Sequence, residues 1–555
     1  MLDKHINASW MGGFNILSGE GASPMPSIKV AGFAPRSLQR GLVRIAVLCL
    51  CLLFIVATPA WPQATFTTID VPGAGTGVLE GTIGFSINAN GDIAGIYLVG
   101  GNVAHGFLRA ADGTITKFDA PNAGTGRNQG TFPFSINSGG DIAGMYFDTN
   151  NVYHGFVRTA DGTIIEFDVP GAGTVGHRGT EPISINTAGD ITGIYTGNSP
   201  LRHGFVRAAS GTMTTFDVTG AGTTGSVQGQ GTQPLSINSA GDIAGFYVAA
   251  NGGFHGFIRA ADGTITAPID VPGAGTSGGT EHHGNVVGTL PLSINAAEEI
   301  TGIYTDASHV GHAFVRAADG TMTYPIDAPG VATTGPVFIP ASFAASINTA
   351  GDIAGTYNDT SGVFHVFVRA ADGTMTGPID DPNAGAAGTS AFPGTLSVSI
   401  NDLGDITGTY ADASSVFHGF IATFAVTPQV QVSNLQNTVE DLVSAGTLSP
   451  RQGQFLLAPL DAALAALGPA SDSAALAASD PSRGDAALPK LHDPADAAAG
   501  RIVTNRSHAV AAIRDLEEFI GRVRLLMFSR QLNHAEGGTL IDAAEIIIRT
   551  LRSEP

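Results

Sequence analysis

The stretch GDIAGIYLVGGNVAHGFLRAADGTITKFD, Gly91 to Asp119, returns as GDIAGMYFDTNNVYHGFVRTADGTIIEFD from Gly140 and as GDITGIYTGNSPLRHGFVRAASGTMTTFD from Gly189. A chain that repeats one sentence folds that sentence repeatedly, each unit burying its apolar face against a neighbour. The triplet Ser-Ile-Asn marks the period. It ends at Asn88, Asn137, Asn186, Asn238, Asn295, Asn348 and Asn401, giving seven copies spaced by 49 to 57 residues. Four residues after each asparagine stands an acid: Asp92, Asp141, Asp190, Asp242, Glu299, Asp352 and Asp405. Seventeen residues further stand Arg109, Arg158, Arg207, Arg259, Arg316 and Arg369, with Ala422 in the last copy.

Each copy reads as four short strands. They end in SIN, DIAGIY, HGFVRA and TITKFD, runs rich in the β-branched and aromatic residues that suit a pleated surface. NANGD separates the first two, and AADGT, whose Asp-Gly tolerates positive φ, separates the last two. The seventh copy lacks its fourth strand, ending HGFIATFAVTPQ, while TFTTIDVPG at Thr65 to Gly73 stands alone before the first SIN. If that strand joins the last copy, an array of four-stranded units closes and loses its exposed edges. The sequence therefore predicts an all-β seven-bladed β-propeller over 65–426, with four-stranded blades and an N-terminal strand closing the last blade. An open solenoid is the alternative.

Seven histidines recur: His105, His154, His203, His255, His312, His365 and His418. Catalysis uses one tuned acid or base, so seven equivalents point to packing or hydrogen bonding within each blade. The acids and arginines seventeen apart lie on one predicted hairpin, which suggests a cross-strand ion pair such as Asp92 with Arg109. NANGD lacks the alternating acids and distal Glu of a calcium loop, so it reads as a turn. No nucleophile elbow, HExxH, phosphate loop or Cys-His zinc spacing occurs. The sequence thus assigns no catalytic residue, no metal site and no cofactor. Length variation concentrates in the loop from a fourth strand to the next blade, which grows from 18 to 25 residues, counted from the strand-ending Asp to the next SIN asparagine. Variable loops on a fixed scaffold carry binding. That face is the predicted binding face, near the longest loop, Val271 to Leu292, and Glu281, His282 and His283 are its candidate residues.

Gly is abundant at 75 residues, only 13% of the chain is charged and 43% is hydrophobic, a balance of strands and turns rather than of disorder. The net charge is -21 with no basic run, which argues against a nucleic-acid partner. Ile45 to Val56, IAVLCLCLLFIV, follows Lys29, Arg36, Arg40 and Arg44 and precedes ATPAWPQA: the layout of a secretory signal peptide within residues 1–64. An uncleaved anchor is the alternative, and the only expected membrane link. Met11 and Met25 are alternative starts, and Ala60 and Ala64 alternative cleavage positions. Cys49 and Cys51, the two cysteines, lie inside the apolar run, so a cleaved product has no thiol.

The recurring SINxxGDIAGxY…HGFVRAADGTIT resembles the HAF-type extracellular repeat family of bacteria; the His-Ala-Phe triplet stands at His312, Ala313 and Phe314, with Gly in the middle of most other copies. The resemblance spans Phe66 to about Phe424 and implies a secreted or surface protein without a defined activity. From about Thr427 the grammar becomes helical. Ser449-Pro450-Arg451-Gln452 forms a capping box, Ile513, Leu516, Phe519, Ile520, Val523 and Leu526 mark one helix face, and Asn533 with Glu536 caps a last helix. Gly468 to Gly500, rich in Ala, Asp, Pro and Ser, reads as a linker. FLLAPLDAALAAL, AAIRDLEEFIGRVRLL and LIDAAEIIIRTL are similar to the small helical FIMAH-type module of secreted bacterial proteins, which implies attachment or interaction by 427–555. The functional expectation is a secreted or cell-surface, non-enzymatic binding scaffold whose extracellular ligand is a glycan, a cell-wall polymer or a protein. A propeller lyase or hydrolase acting on an extracellular carbohydrate or peptide is the alternative.

Overall fold

The structure is a computed structural model and describes residues 64–225, 229–275, 287–332, 342–388, 390, 392–424, 428–444, 446–467 and 494–553. The predicted signal segment and most of the predicted linker lie outside the described residues. Within them the chain is a β-propeller of four-stranded antiparallel sheets followed by a small helical part.

The first copy shows how the sequence makes the unit. Gly81–Ile87, Ile93–Val99, Val103–Arg109 and Ile115–Phe118 pair in chain order, with Ile93 opposite Arg109 and Gly106 opposite Phe118. The Asn88 carbonyl accepts from Gly91 N at 3.0 Å and closes the first turn. Ala110 and Gly113 close the AADGT turn at 2.8 Å, and Asp112 Oδ1 caps Thr114 N. A bulge between Gly84 and Ser86 recurs at the same place in the first strand of every copy. It re-aims the strand so that Ile87 and Asn88 turn inward. The displaced strand Thr65–Ile69 pairs antiparallel with Phe417–Thr423, Thr65 opposite Thr423 and Ile69 opposite Gly419. It completes the last copy as a fourth strand.

Apolar clusters lie between consecutive copies. Ile69 and Val71 pack with Tyr97 and Phe107 of the first copy, and Val169 of the second packs with Ile191 and Phe205 of the third. The gluing of copy to copy is therefore hydrophobic burial, the dominant favourable contribution to folding.

The helical part comprises α1 (Pro428–Ser444), α2 (Pro450–Leu467), α3 (Pro494–Phe528) and α4 (His534–Ser553). Ser449 and Gln452 bond reciprocally as the capping box requires. Leu456 and Leu460 of α2, Leu516, Phe519 and Val523 of α3 and Ile547 of α4 form one buried core. The predicted linker is too long by seven residues: Pro494 to Gly500 belong to α3. Pro fits a first helical turn, and the alanines that follow have the highest helix propensity, so PADAAAG starts the helix.

Candidate functional site

The two ends of the strands carry different chemistry. At the turn end the SIN asparagines link copy to copy. Asn88 Nδ2 donates to the Asn137 carbonyl at 3.1 Å, Asn137 to Asn186 at 3.0 Å, and the series runs on until Asn401 donates back to Asn88 at 3.2 Å. The serines form a second series, Ser86 Oγ accepting from Ile136 N at 3.3 Å and Ser399 Oγ from Ile87 N at 3.4 Å. Inside lies a cavity of about 280 Å³ lined by the isoleucine, the asparagine and the residue after it from each copy. Asn88 is fully engaged: its Oδ1 accepts from Asn90 N and Asp92 N, while Nδ2 also reaches Asp92. This belt is architecture, and it explains why the triplet never varies.

At the loop end each copy presents a tyrosine, a histidine and an aspartate. Tyr97 stacks on His105 at 5.0 Å, and His105 Nδ1 lies 2.8 Å from Asp119 Oδ2. The same contact recurs as His154–Asp168, His203–Asp217, His255–Asp270, His312–Asp327, His365–Asp380 and His418–Asp70. Four histidines meet a second acid from the hairpin between strands two and three. Nε2 of His154, His312, His365 and His418 lies 3.6 to 3.9 Å from Asp148, Asp306, Asp359 and Asp412. The hydrogen bond to the partner carboxylate, with its charge, raises the pKa of His154, His203 and His312 despite burial. Burial, and then the neighbouring aspartates, push Tyr304 and Tyr357 up to about 12. Tyr410 is raised by burial first, with the charges of Asp381 and Asp70 adding to the rise.

The predicted ion pair does not form. Ile93 is the residue opposite Arg109, so Asp92 and Arg109 point to opposite faces of the sheet. Asp92 Oδ1 instead accepts from Ala111 N at 2.9 Å, tying the second strand to the AADGT turn. The arginines lean on the preceding copy: Arg158 lies over Phe118 at 5.1 Å, Arg207 over Phe167 at 4.8 Å and Arg259 over Phe216 at 5.1 Å.

The loop face is electrically uneven. After Arg259 the sequence up to Phe424 holds only Arg316 and Arg369, and both precede AADGT turns at the other end. Copies five to seven therefore bring carboxylates to the loop end and no Lys or Arg of their own. The earlier copies interleave Lys117, Arg127, Arg178 and Arg202 with theirs. The third copy also departs in its interior. Glu181 is 2% exposed, its pKa is raised by burial with Arg202 opposing, and Arg202 hydrogen-bonds Gln233. Glu281, His282 and His283 lie outside the described residues. The loop-end cluster was recoverable from the repeat alone. Each Tyr stands eight residues before its His, and each Asp of the first three copies fourteen after, at constant spacing.

No protein-family model matches this chain, and no curated protein does. Among solved structures it is similar to the BP39L lectin from Burkholderia pseudomallei, with 10% identity and a TM-score of 0.40 over 65% of this chain and 96% of the lectin. A puromycin hydrolase is 14% identical with a TM-score of 0.37, and the match covers 64% of this chain and 53% of the hydrolase. The Aleuria aurantia fungal lectin, a six-bladed β-propeller, is 12% identical with a TM-score of 0.30 over 57% of this chain and 99% of the lectin. The details of the fold described above rest on this chain's own strand pairings.

Proposed function

We propose that this chain is an exported, non-enzymatic binding scaffold: a seven-bladed propeller whose loop face holds a repeating extracellular polymer, in the first place a glycan. The return of the asparagine series from Asn401 to Asn88, and the pairing of Thr65–Ile69 with the last copy, support the blade count and the closure. One observation carries the function. The Tyr–His–Asp cluster recurs in all seven copies on one face, and a cluster repeated around a face suits a ligand that itself repeats, because linked contacts multiply affinity. Kinship with HAF-type repeats, an N-terminal export signal and attachment through the helical module complete the reading.

The test is a binding screen of the exported protein against extracellular and cell-wall polysaccharides, comparing each polymer with its monomer. The expected result is a polymer that binds far more tightly than its monomer and is recovered unchanged. Equal affinity for the two removes multivalency, and turnover of the bound polymer makes the protein an enzyme. Mass spectrometry of the mature chain is expected to find it starting beyond the apolar run, without Cys49 or Cys51.

A further inference from the structure

The loop face is not the same all the way round. In the stretch from Asp270 through copies five to seven to Asp70, three hairpin acids, Asp306, Asp359 and Asp412, stand beside histidines already engaged by Asp327, Asp380 and Asp70. Residues 270–424 hold only Arg316 and Arg369, both beside AADGT turns at the other end, and the described cation nearest the seam, Lys117, donates to the Pro72 carbonyl rather than to an acid of the arc.

A second observation is independent of that acidity. Among the described propeller residues, four buried side-chain acceptor oxygens receive no hydrogen bond: Asp270 Oδ1, Asn358 Oδ1, Asp380 Oδ1 and Asp381 Oδ2. All four lie in this arc. Asp381 is the clearest, being only 3% exposed. It occupies the position that Val71, Ala120, Val169, Val218, Val271 and Ala328 fill elsewhere in the ring. Its Oδ1 caps Asn383 N at 2.8 Å, and its charge bears on Tyr410 within the Tyr410–His418–Asp70 cluster. A carboxylate in an apolar seat, with one oxygen unanswered, is costly unless positive charge or a donor lies close by. Among the described residues no donor reaches Asp381 Oδ2 and no Lys or Arg pairs with Asp381.

We propose that this arc binds a ligand bearing several ammonium groups along its length. Within the glycan reading above, on which this rests, that ligand is an amino-sugar chain with free amines. Ammonium groups bring three donors and a full charge each, and their spacing along a chain lets several hairpin acids engage at once.

The experiment uses the exported full chain and calorimetric titration with a fully deacetylated glucosamine oligomer, its N-acetylated counterpart and spermine. The deacetylated oligomer is expected to bind, weakening as salt rises, and the acetylated one to bind at least about tenfold more weakly. S308K/S361K/S414K places cations on three exposed hairpin positions without altering any acid. It is expected to abolish binding, while D112N, an exposed acid of the AADGT turn at the opposite end of the strands, leaves it intact. Unchanged melting temperatures for both variants separate binding from folding. Equal binding of the two oligomers overturns the ammonium inference and leaves the glycan reading standing. Binding of spermine alone supports the arc and sinks the glycan reading. Unaltered binding by the lysine variant, or no binding by any probe, overturns the proposal.

Discussion

His418 Nδ1 lies 2.7 Å from Asp70 Oδ1, a hydrogen bond between residues 348 apart in the chain. In every other copy the same bond is made over 14 or 15 residues. The pair marks the seam where the first described strand completes the last copy, and Thr68 Oγ1 adds a contact with Tyr410 Oη at 3.3 Å.

The seam sets the first prediction. Asp70 is 59% exposed, so D70A is expected to cost no more than about 1 kcal/mol. Deleting Thr65 to Val71 also removes Ile69 and Val71, each 2% exposed, at about 1.5–3 kcal/mol per side chain, and bares a strand edge. Denaturant melts of the two variants measure the difference. Equal stabilities would show that the strand contributes nothing to closure.

The asparagine belt sets the second. Asn137 Nδ2 holds the Asn186 carbonyl and its Oδ1 accepts from Asp141 N at 2.9 Å, with the residue 5% exposed. N137A leaves buried partners unsatisfied and is expected to cost about 2–4 kcal/mol. N137D keeps the acceptor, loses the donor and sets a buried charge near Asp141, so it is expected to be worse. Chemical unfolding of the pair of variants ranks them; N137D more stable than N137A would show that the retained acceptor outweighs the buried charge.

A glycine prediction follows from the bulge. Gly144 stands where a Cβ would lie 2.2 Å from the Phe132 carbonyl oxygen and 2.7 Å from Pro133 Cα. Both obstacles are backbone, and all seven copies keep this glycine. G144A is expected to lower stability by about 1–3 kcal/mol, the ordinary cost of overpacking, or to prevent folding. A wild-type melting curve would mean that the bulge gives way.

The histidines set a pH dependence. His154, His203 and His312 gain affinity for a proton on folding, through their bonds to Asp168, Asp217 and Asp327. A raised folded pKa contributes stability that is fully present below the unfolded value, about 6.5, and is lost as pH rises through the folded value. Melting temperature is therefore expected to fall across that window for wild type, and to fall less for D168N/D217N/D327N. NMR titration is expected to show the three imidazoles titrating lower in that variant. Identical wild-type and variant slopes would remove these contacts from the pH response.

The propeller was legible in the sequence because a repeat is a statement about neighbours: seven copies with a missing last strand and a spare first one leave few ways to pair edges. Turn chemistry at NANGD and AADGT was legible for the same local reason, since Gly and Asp act through φ and short-range hydrogen bonds. What spacing could not settle was direction. Asp92 and Arg109 read as partners at seventeen residues, yet the register puts Ile93 opposite Arg109, and one residue of offset sends the two side chains to opposite faces. Likewise His105 and Asp119 become a pair only when the third and fourth strands set them on one side, and His418 finds Asp70 only when the ring returns to its start. The uneven charge of the loop face is written in the positions of the arginines. Only the tertiary structure, by carrying Arg316 and Arg369 to the far end of their strands, leaves the acids of copies five to seven without them, because strand direction and ring order decide which distant charges share a surface.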